Sequence, residues 1–280
     1  MIWHEFKRAG VVSAALVLLL SLAEPANAIL INGSFETGDF TGWTHAGFFR
    51  GSGGPSSGGP NYANFLSAQV GSAPTLDSNA VVASQTSTFD GFGTPGPAVL
   101  PTSGGFLAFI SNETSIGNNT LTGSSISQTF ALPIGATSLA FDARLLNNDS
   151  PTSFVTFDDF GGLALTQGST VLSQFNLDLN PASAANAHVT AGANVGGFRN
   201  STAWLSSAFN VASLGGQPVT LTAYSVNFGG DNSFETRLLL DNVRVTALSA
   251  VPEPSALFLL TLGVFVAWRV TLRNLGEKLS

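Results

Sequence analysis

The sequence contains no cysteine. That excludes disulfides, thiolate nucleophiles and Cys-ligated metals. It leaves an extracellular location open, because a chain of this size needs no bridges to fold. Charge is scarce too: charged residues make up 10% of the 280, against about 25% in ordinary globular domains. Lysine occurs only at the two ends, as Lys7 and Lys278. Between residues 29 and 250, thirteen acids stand against five bases, all arginine, for a net charge of −8. An acidic body without a basic stripe is unsuited to nucleic acid, which requires cations against its phosphates. His45 and His188 are the only histidines in that body, and neither sits in a metal-binding spacing. Helical periodicity is nearly missing from the same stretch.

What is present begins with a core: the hydrophobic fraction is 44%, and 22 phenylalanines accompany only two tyrosines. Strand alternation recurs along the body. In "SLAFDARLL", Leu139, Phe141, Ala143 and Leu145 share one face, while Asp142 and Arg144 share the other. "GGLALTQGSTVLSQFNL" reads as a hairpin turning at Gln167-Gly168-Ser169, and "QPVTLTAYSVNF" and "ETRLLLDNVRVTAL" as two further strands. Residues 29–35, 43–50, 105–111, 125–131, 153–157 and 202–211 are additional candidates. Many short strands separated by Gly, Asn and Pro indicate an all-β fold, an antiparallel sandwich or a barrel. Residues 51–104, opening with "GSGGPSSGG", carry weak strand signal and read as a long loop or insertion within one body spanning 29–248.

The two ends carry addresses. "MIWHEFKRAGVVSAALVLLLSLAEPANA" has a basic start at Lys7 and Arg8, an apolar run from Gly10 to Ala23, and small residues Ala26 and Ala28 around the cleavage point. Residues 1–28 therefore read as a signal helix removed by signal peptidase, with Ile29 as the mature N-terminus. At the other end, residues 249–280, the uncharged run from Ser255 is followed by Arg269, Arg273 and Lys278 and preceded by Glu253. The positive-inside rule puts that basic end (269–280) in the cytoplasm and the body outside, with a single hydrophobic helix over 255–270 in the membrane. Pro252 and Pro254 each lack a backbone donor, so "VPEP" is an extended segment that cannot join a sheet.

The order Val251-Pro252-Glu253-Pro254, hydrophobic helix, arginines resembles the PEP-CTERM sorting signal of Gram-negative bacteria. The resemblance implies recognition by exosortase, a membrane transpeptidase, and loss of the helix near Pro-Glu-Pro. It also implies display or release at the cell surface, often beside exopolysaccharide production. Tails that serve as addresses and are absent from the mature protein have a parallel in GPI signals.

Two shorter stretches carry a second resemblance. "INGSFETGDFTGW" near the start of the body and "LLLDNVRV" near its end look like the galactose-binding-like jelly rolls that include many carbohydrate-binding modules. That fold implies a first and last strand lying close together. It also implies a structural Ca²⁺ held by the acid after Phe35 and the acid of the last strand, here Glu36 and Asp241, with Asn242 where the family often has a second acid. Two such carboxylates repel unless protonated or bridged by a cation, and Ca²⁺ accepts carbonyls from a turn such as Thr37-Gly38-Asp39.

No catalytic residue is assigned. Gly54-Pro55-Ser56-Ser57-Gly58 fits the nucleophile-elbow spacing but lacks its strand and helix. Gly91 to Gly96 fits the dinucleotide spacing, but Pro95 and Pro97 forbid the helix. Asp158-Asp159 reads as a solvated loop pair, and Asn176, Asp178 and Asn180 as a polar outer face. Trp43 reads as core. The resulting expectation is a non-enzymatic exported surface or matrix protein associated with exopolysaccharide. The alternative is a secreted carbohydrate-active or other hydrolase built on a β-sandwich.

Overall fold

The computed structural model describes residues 29–50, 60–69, 79–84, 97–111, 121–149, 159–195, 197–227, 236–248 and 263. The signal segment 1–28, with Ala26 and Ala28, lies outside the described residues. So do Val251, Pro252, Glu253, Pro254, Arg269 and Arg273, the proposed helix 255–270 except Gly263, Asp158 and the strand expected at 153–157. The chain divides into one unit over 1–246 and a second over 247–280. Among the described residues no helix is long and apolar enough to cross a membrane.

The body is two six-stranded sheets. The strands are β1 (Thr44–Arg50), β2 (Asn79–Ala83), β3 (Leu107–Ser111), β4 (Leu121–Ala131), β5 (Ala136–Asn147) and β6 (Phe160–Gln167). They continue as β7 (Thr170–Asp178), β8 (Ala187–His188), β9 (Asn200–Ser201), β10 (Leu205–Asn210), β11 (Pro218–Asn227) and β12 (Thr236–Ala247). A helix, α1, covers Tyr62–Gln69. Sheet I runs β1-β4-β11-β6-β7-β8; sheet II runs β10-β5-β12-β3-β2, with β9 added to β5. From β3 to β6 the chain changes sheet at every strand, and again from β10 to β12, as in a jelly roll. In sheet I the pairs β1/β4, β4/β11, β11/β6 and β6/β7 are antiparallel, and the short β7/β8 contact is parallel. The expected choice between sandwich and barrel resolves to a sandwich, because the sheets remain separate layers.

The core lies between the layers. Ile126, Phe130, Leu163, Leu165, Leu221 and Ala223 come from sheet I, and Leu139, Phe141, Ala143, Leu145, Leu238 and Leu240 from sheet II. This is the alternation read from "SLAFDARLL": the odd positions of β5 face inward. The hairpin turns at Gly168-Ser169, between β6 and β7.

Several expectations are corrected. Residues 29–35 form no strand. Asn32 and Phe35 adopt φ of 51° and 59°, which break an extended run. The Gln128 side chain docks the segment instead, accepting from Ile31 N at 2.8 Å and donating to the Ile31 and Gly42 carbonyls at 3.0 and 2.8 Å. The stretch 51–104 is not all loop: it contains α1 and the edge strand β2. Phe65 of α1 stacks on the outward-facing Tyr224 of sheet I and Tyr62 lies tilted against it, so tertiary aromatic contacts, invisible to periodicity, fix that helix. Asn176 and Asp178 lie on the outer side of β7, opposite the core residues Phe175 and Leu177, but that side is not solvated: both are buried, and Asn176 accepts the Tyr224 hydroxyl at 2.7 Å. Asp159, expected in a solvated pair, is wholly buried.

Candidate functional site

The start of the body and β12 do meet. Val243 N donates to the Gly33 carbonyl at 2.9 Å, and a Cβ at Gly33 would collide with the Val243 carbonyl oxygen. Trp43 is buried beside Phe35, its indole N–H donating to the Asn32 carbonyl at 3.2 Å. Asp39 closes the neighbouring turn, accepting from Thr37 Oγ1 at 2.7 Å and Thr41 N at 2.9 Å; the Thr41 side chain first, then the Thr37 hydroxyl and the Thr41 amide, hold its carboxyl below the usual range. The Asp39 carbonyl accepts from Asn32 Nδ2 at 2.8 Å.

Glu36 and Asp241 reach the same loop, residues 101–106, from opposite ends of the sequence. Glu36 accepts from Gly105 N at 3.0 Å with both oxygens and from Phe106 N at 3.1 Å. Asp241 Oδ2 accepts from Thr102 N at 2.7 Å, Thr102 Oγ1 at 2.9 Å and Ser103 N at 2.9 Å. Its Oδ1 accepts from Asn242 N at 2.6 Å. Burial nonetheless pushes the Asp241 carboxyl above its ordinary value, with those bonds opposing the shift.

Asp142 joins this group, a residue that strand alternation placed only on a polar face. Its Oδ2 accepts from Thr102 Oγ1 at 2.7 Å and Asn242 Nδ2 at 2.9 Å, and its Oδ1 from the Ser206 hydroxyl. Burial works against its charge, but these donors, together with Arg244, hold Asp142 below the usual carboxylate range.

These donors bear directly on the expected calcium. A cation needs oxygen lone pairs aimed at it, whereas the carboxylates of Glu36 and Asp241 are aimed at N–H and O–H groups. As arranged, the pair fits a clamp on loop 101–106 and does not fit a cation cage. Among the described residues no three His, Asp or Glu side chains converge as a metal site.

A second polar group lies between the sheets, where β5 ends, β6 begins and β12 begins. Asn147 Nδ2 donates to Asp149 Oδ2 at 3.1 Å, Asp159 Oδ2 at 3.2 Å and Thr236 Oγ1 at 2.7 Å. Thr236 Oγ1 donates to Asp159 Oδ2 at 2.5 Å. Asn147 Oδ1 accepts from Asp149 N at 2.6 Å, and Asn200 Nδ2 donates to the Asp149 carbonyl at 2.7 Å. All five residues are buried. Sequence reasoning missed this group; the only signal was the polar run Asn147-Asn148-Asp149 immediately after a hydrophobic strand.

His45 is exposed on β1, and His188 lies on β8 with its ring 3.2 Å from the Ser183 hydroxyl; they do not meet. The outer face of sheet I carries a row of neutral hydroxyls. Thr44 is opposite Ser127, and Thr129 is opposite Thr220 with their hydroxyls 2.8 Å apart and open to solvent.

Residues 250–273 match a known family, described as the PEP-CTERM protein-sorting motif. The chain carries a PEP-CTERM sorting tail. A PEP-CTERM tail marks an exported protein for sorting to the cell surface, and its matched span contains Val251 to Pro254, the apolar run and both Arg269 and Arg273. No curated protein is a significant match to the sequence. Among solved structures, the chain is similar to TmCBM61 in complex with β-1,4-galactotriose, at 9% identity over 79% of this chain and 99% of that one, with a TM-score of 0.35. It is similar to the Caldicellulosiruptor saccharolyticus CBM27-1 in complex with mannohexaose, at 11% identity, 79% and 96% coverage, and a TM-score of 0.34. It is also similar to a cleaved adhesin domain of Lys-gingipain from Porphyromonas gingivalis, at 12% identity, 77% and 96% coverage, and a TM-score of 0.34.

Proposed function

We propose that this is a non-enzymatic exported protein of a Gram-negative cell envelope. Its PEP-CTERM tail hands it to exosortase, and its β-sandwich associates with exopolysaccharide at the surface. The observation that carries the reading is the sorting motif at 250–273. Before processing, signal peptidase cuts after Ala28 and the 255–270 segment holds the chain in the inner membrane with its basic end in the cytoplasm. Exosortase then cuts near Pro252-Glu253-Pro254.

Support for polysaccharide contact comes from the face of sheet I. Thr44, Ser127, Thr129 and Thr220 present uncharged hydroxyls, which exchange hydrogen bonds with sugar hydroxyls without the desolvation cost of an ion. An acidic body suits a neutral or cation-bridged polymer better than a polyanion. The hydrolase alternative draws no support from Asp159, which is buried under Thr236 and out of reach of any substrate. A structural Ca²⁺ on Glu36 and Asp241 would require both carboxylates to turn from their amide donors; our reading is that they clamp the loop without it.

The test uses cells with and without exosortase. Surface protein from the former should end between Val251 and Pro254 by mass spectrometry, and the Pro252→Ala/Pro254→Ala double variant should stay in the membrane. Equal release of wild type and variant overturns the sorting reading. Co-sedimentation of the released protein with the cell's exopolysaccharide should weaken in Thr129→Ala/Thr220→Ala; undiminished sedimentation removes the hydroxyl face from the account.

A further inference from the structure

The exposed apolar side chains of the body gather at one end of the sandwich. Ile134 tips the β4–β5 turn and is 73% exposed. That turn rests on the β10–β11 turn: Gly216 N donates to the Leu132 carbonyl at 2.8 Å, and Leu132 N to the Gln217 carbonyl at 3.0 Å. The β6–β7 hairpin turns at the same end, since Thr166 pairs with Thr220, close to the pair Pro218 and Ala131. Val171 and Leu172 stand exposed on that hairpin. Ile31, also exposed, is held near the end of β4 by Gln128, and exposed Ile29 precedes it. Of the nine large hydrophobic residues exposed among the described ones, these five share one end. Such clustering marks a docking surface, whereas scattered exposure does not.

Charge is divided along the same axis. The three turns, 131–137, 165–172 and 210–218, contain no charged residue. The connections at the opposite ends of these strands, 112–120, 148–159 and 228–235, hold Glu113, Asp149, Asp158, Asp159, Asp231 and Glu235 and no base. β12 runs toward the uncharged end, where the Thr137 hydroxyl donates to the Thr246 carbonyl at 3.2 Å. Arg244 is exposed on β12 just before that point.

We infer that the uncharged end docks on a phospholipid bilayer, with Ile134, Val171 and Leu172 entering the headgroup region, and so holds the body against the inner membrane before the tail is cut. The inference rests on the export and anchoring proposed above. Covalent reach selects the occupant. Residues 248–254 separate β12 from the apolar run at Ser255, and seven residues span at most roughly 25 Å. Charge selects the orientation: an anionic lipid surface repels the acidic end and accepts the uncharged one, with Arg244 as a cation for the headgroups. Apolar side chains on turn tips gain by leaving water for the interface, as the apolar face of an interfacial helix does. Glu36 and Asp39 of the N-terminal segment are already met by loop amides and by Thr37 and Thr41.

The cysteine-free sequence allows single probes to be placed cleanly. The full chain is reconstituted into phosphatidylethanolamine/phosphatidylglycerol vesicles with a fluorophore on Ile134→Cys, on Leu172→Cys or on Ala184→Cys, the last exposed beyond the far end of β7. Nitroxide lipids labelled at headgroup depth should quench the probes at 134 and 172 at least twofold more than the probe at 184. Adding Ile134→Glu to the Leu172→Cys chain should reduce quenching at 172 at least twofold. Equal quenching at all three positions in a chain that floats with the vesicles overturns the docking and leaves the anchoring reading standing. A chain that does not float with the vesicles overturns both. Undiminished quenching at 172 in the Ile134→Glu chain also overturns the docking.

Discussion

Two groups of carboxylates use the same strands and solve the same problem differently. Asp142 and Asp241 project from the outer face of sheet II, and a loop folds over them, so that its amides and the Thr102 hydroxyl meet the charge. Asp149 and Asp159 sit between the sheets, and a single asparagine serves both. The outer group shows that loop amides and short polar side chains together can satisfy buried acids when a loop wraps them. In the inner group, packed strands leave no such freedom, and Asp149 Oδ1 goes unserved. The difference is one of available donors, not of burial: Asp241 and Asp149 are both wholly inaccessible.

The sharpest way to break the inner group is Asn147→Ala. It removes the donor common to Asp149, Asp159 and Thr236 and strands the Asp149 amide. Denaturant unfolding should show a loss of about 3–5 kcal/mol, as when a buried charge is deprived of its partner. Asp241→Ala should cost less, about 2–3 kcal/mol, because the amides of Thr102 and Ser103 that it frees lie nearer solvent. Gly104→Ala should cost about 1 kcal/mol: Gly104 holds φ of 65°, and a Cβ there would displace the Glu36 carboxylate, a flexible group that can move aside. If Gly104→Ala and Asp241→Ala proved equally damaging, the clamp would depend on Glu36 far more than its exposure implies.

The smallest expected effect is a pH dependence. A carboxyl held below its ordinary value contributes stability that is complete above pH about 4 and fades as the pH falls through the folded value. Asp142 is such a group, through Ser206, Asn242, Thr102 and Arg244 working against its burial. Asp241, raised by burial, acts oppositely: its contribution is present at low pH and is lost as the pH rises through its raised value. Asp142→Asn should therefore flatten the acid limb of the stability profile below pH about 4, and Asp241→Asn should steepen it. Identical acid limbs in all three proteins would mean that the donors seen around Asp142 do not favour its charged form.

The architecture was legible in the sequence wherever one face of a strand is buried. "SLAFDARLL" and "QPVTLTAYSVNF" alternate because their odd positions enter the core, and both became long strands. The first segment misled because "ILINGSF" has strand composition, yet Asn32 and Phe35 turn it and Gln128, nearly a hundred residues away, captures it. Glu36 and Asp241 were found as a pair, but what they face was not, since loop 101–106 carries no pattern beyond Thr, Ser and Gly. The inner group was illegible for a different reason. Asn147, Asp159 and Thr236 come from three strand ends, and only the fold brings them together.

The strands at the sheet margins carry a consequence for life at a crowded surface. One margin of sheet I is β8, a pairing of two residues, and one margin of sheet II is β2, five residues contributed by the Gly-rich segment; the opposite margins are β1, seven residues, and β10, six. A long bare margin would invite neighbouring copies to extend the sheet edge to edge. The short β8 and β2 limit how many hydrogen bonds a neighbour can add there, which leaves β1 and β10 as the margins along which copies held side by side would pair.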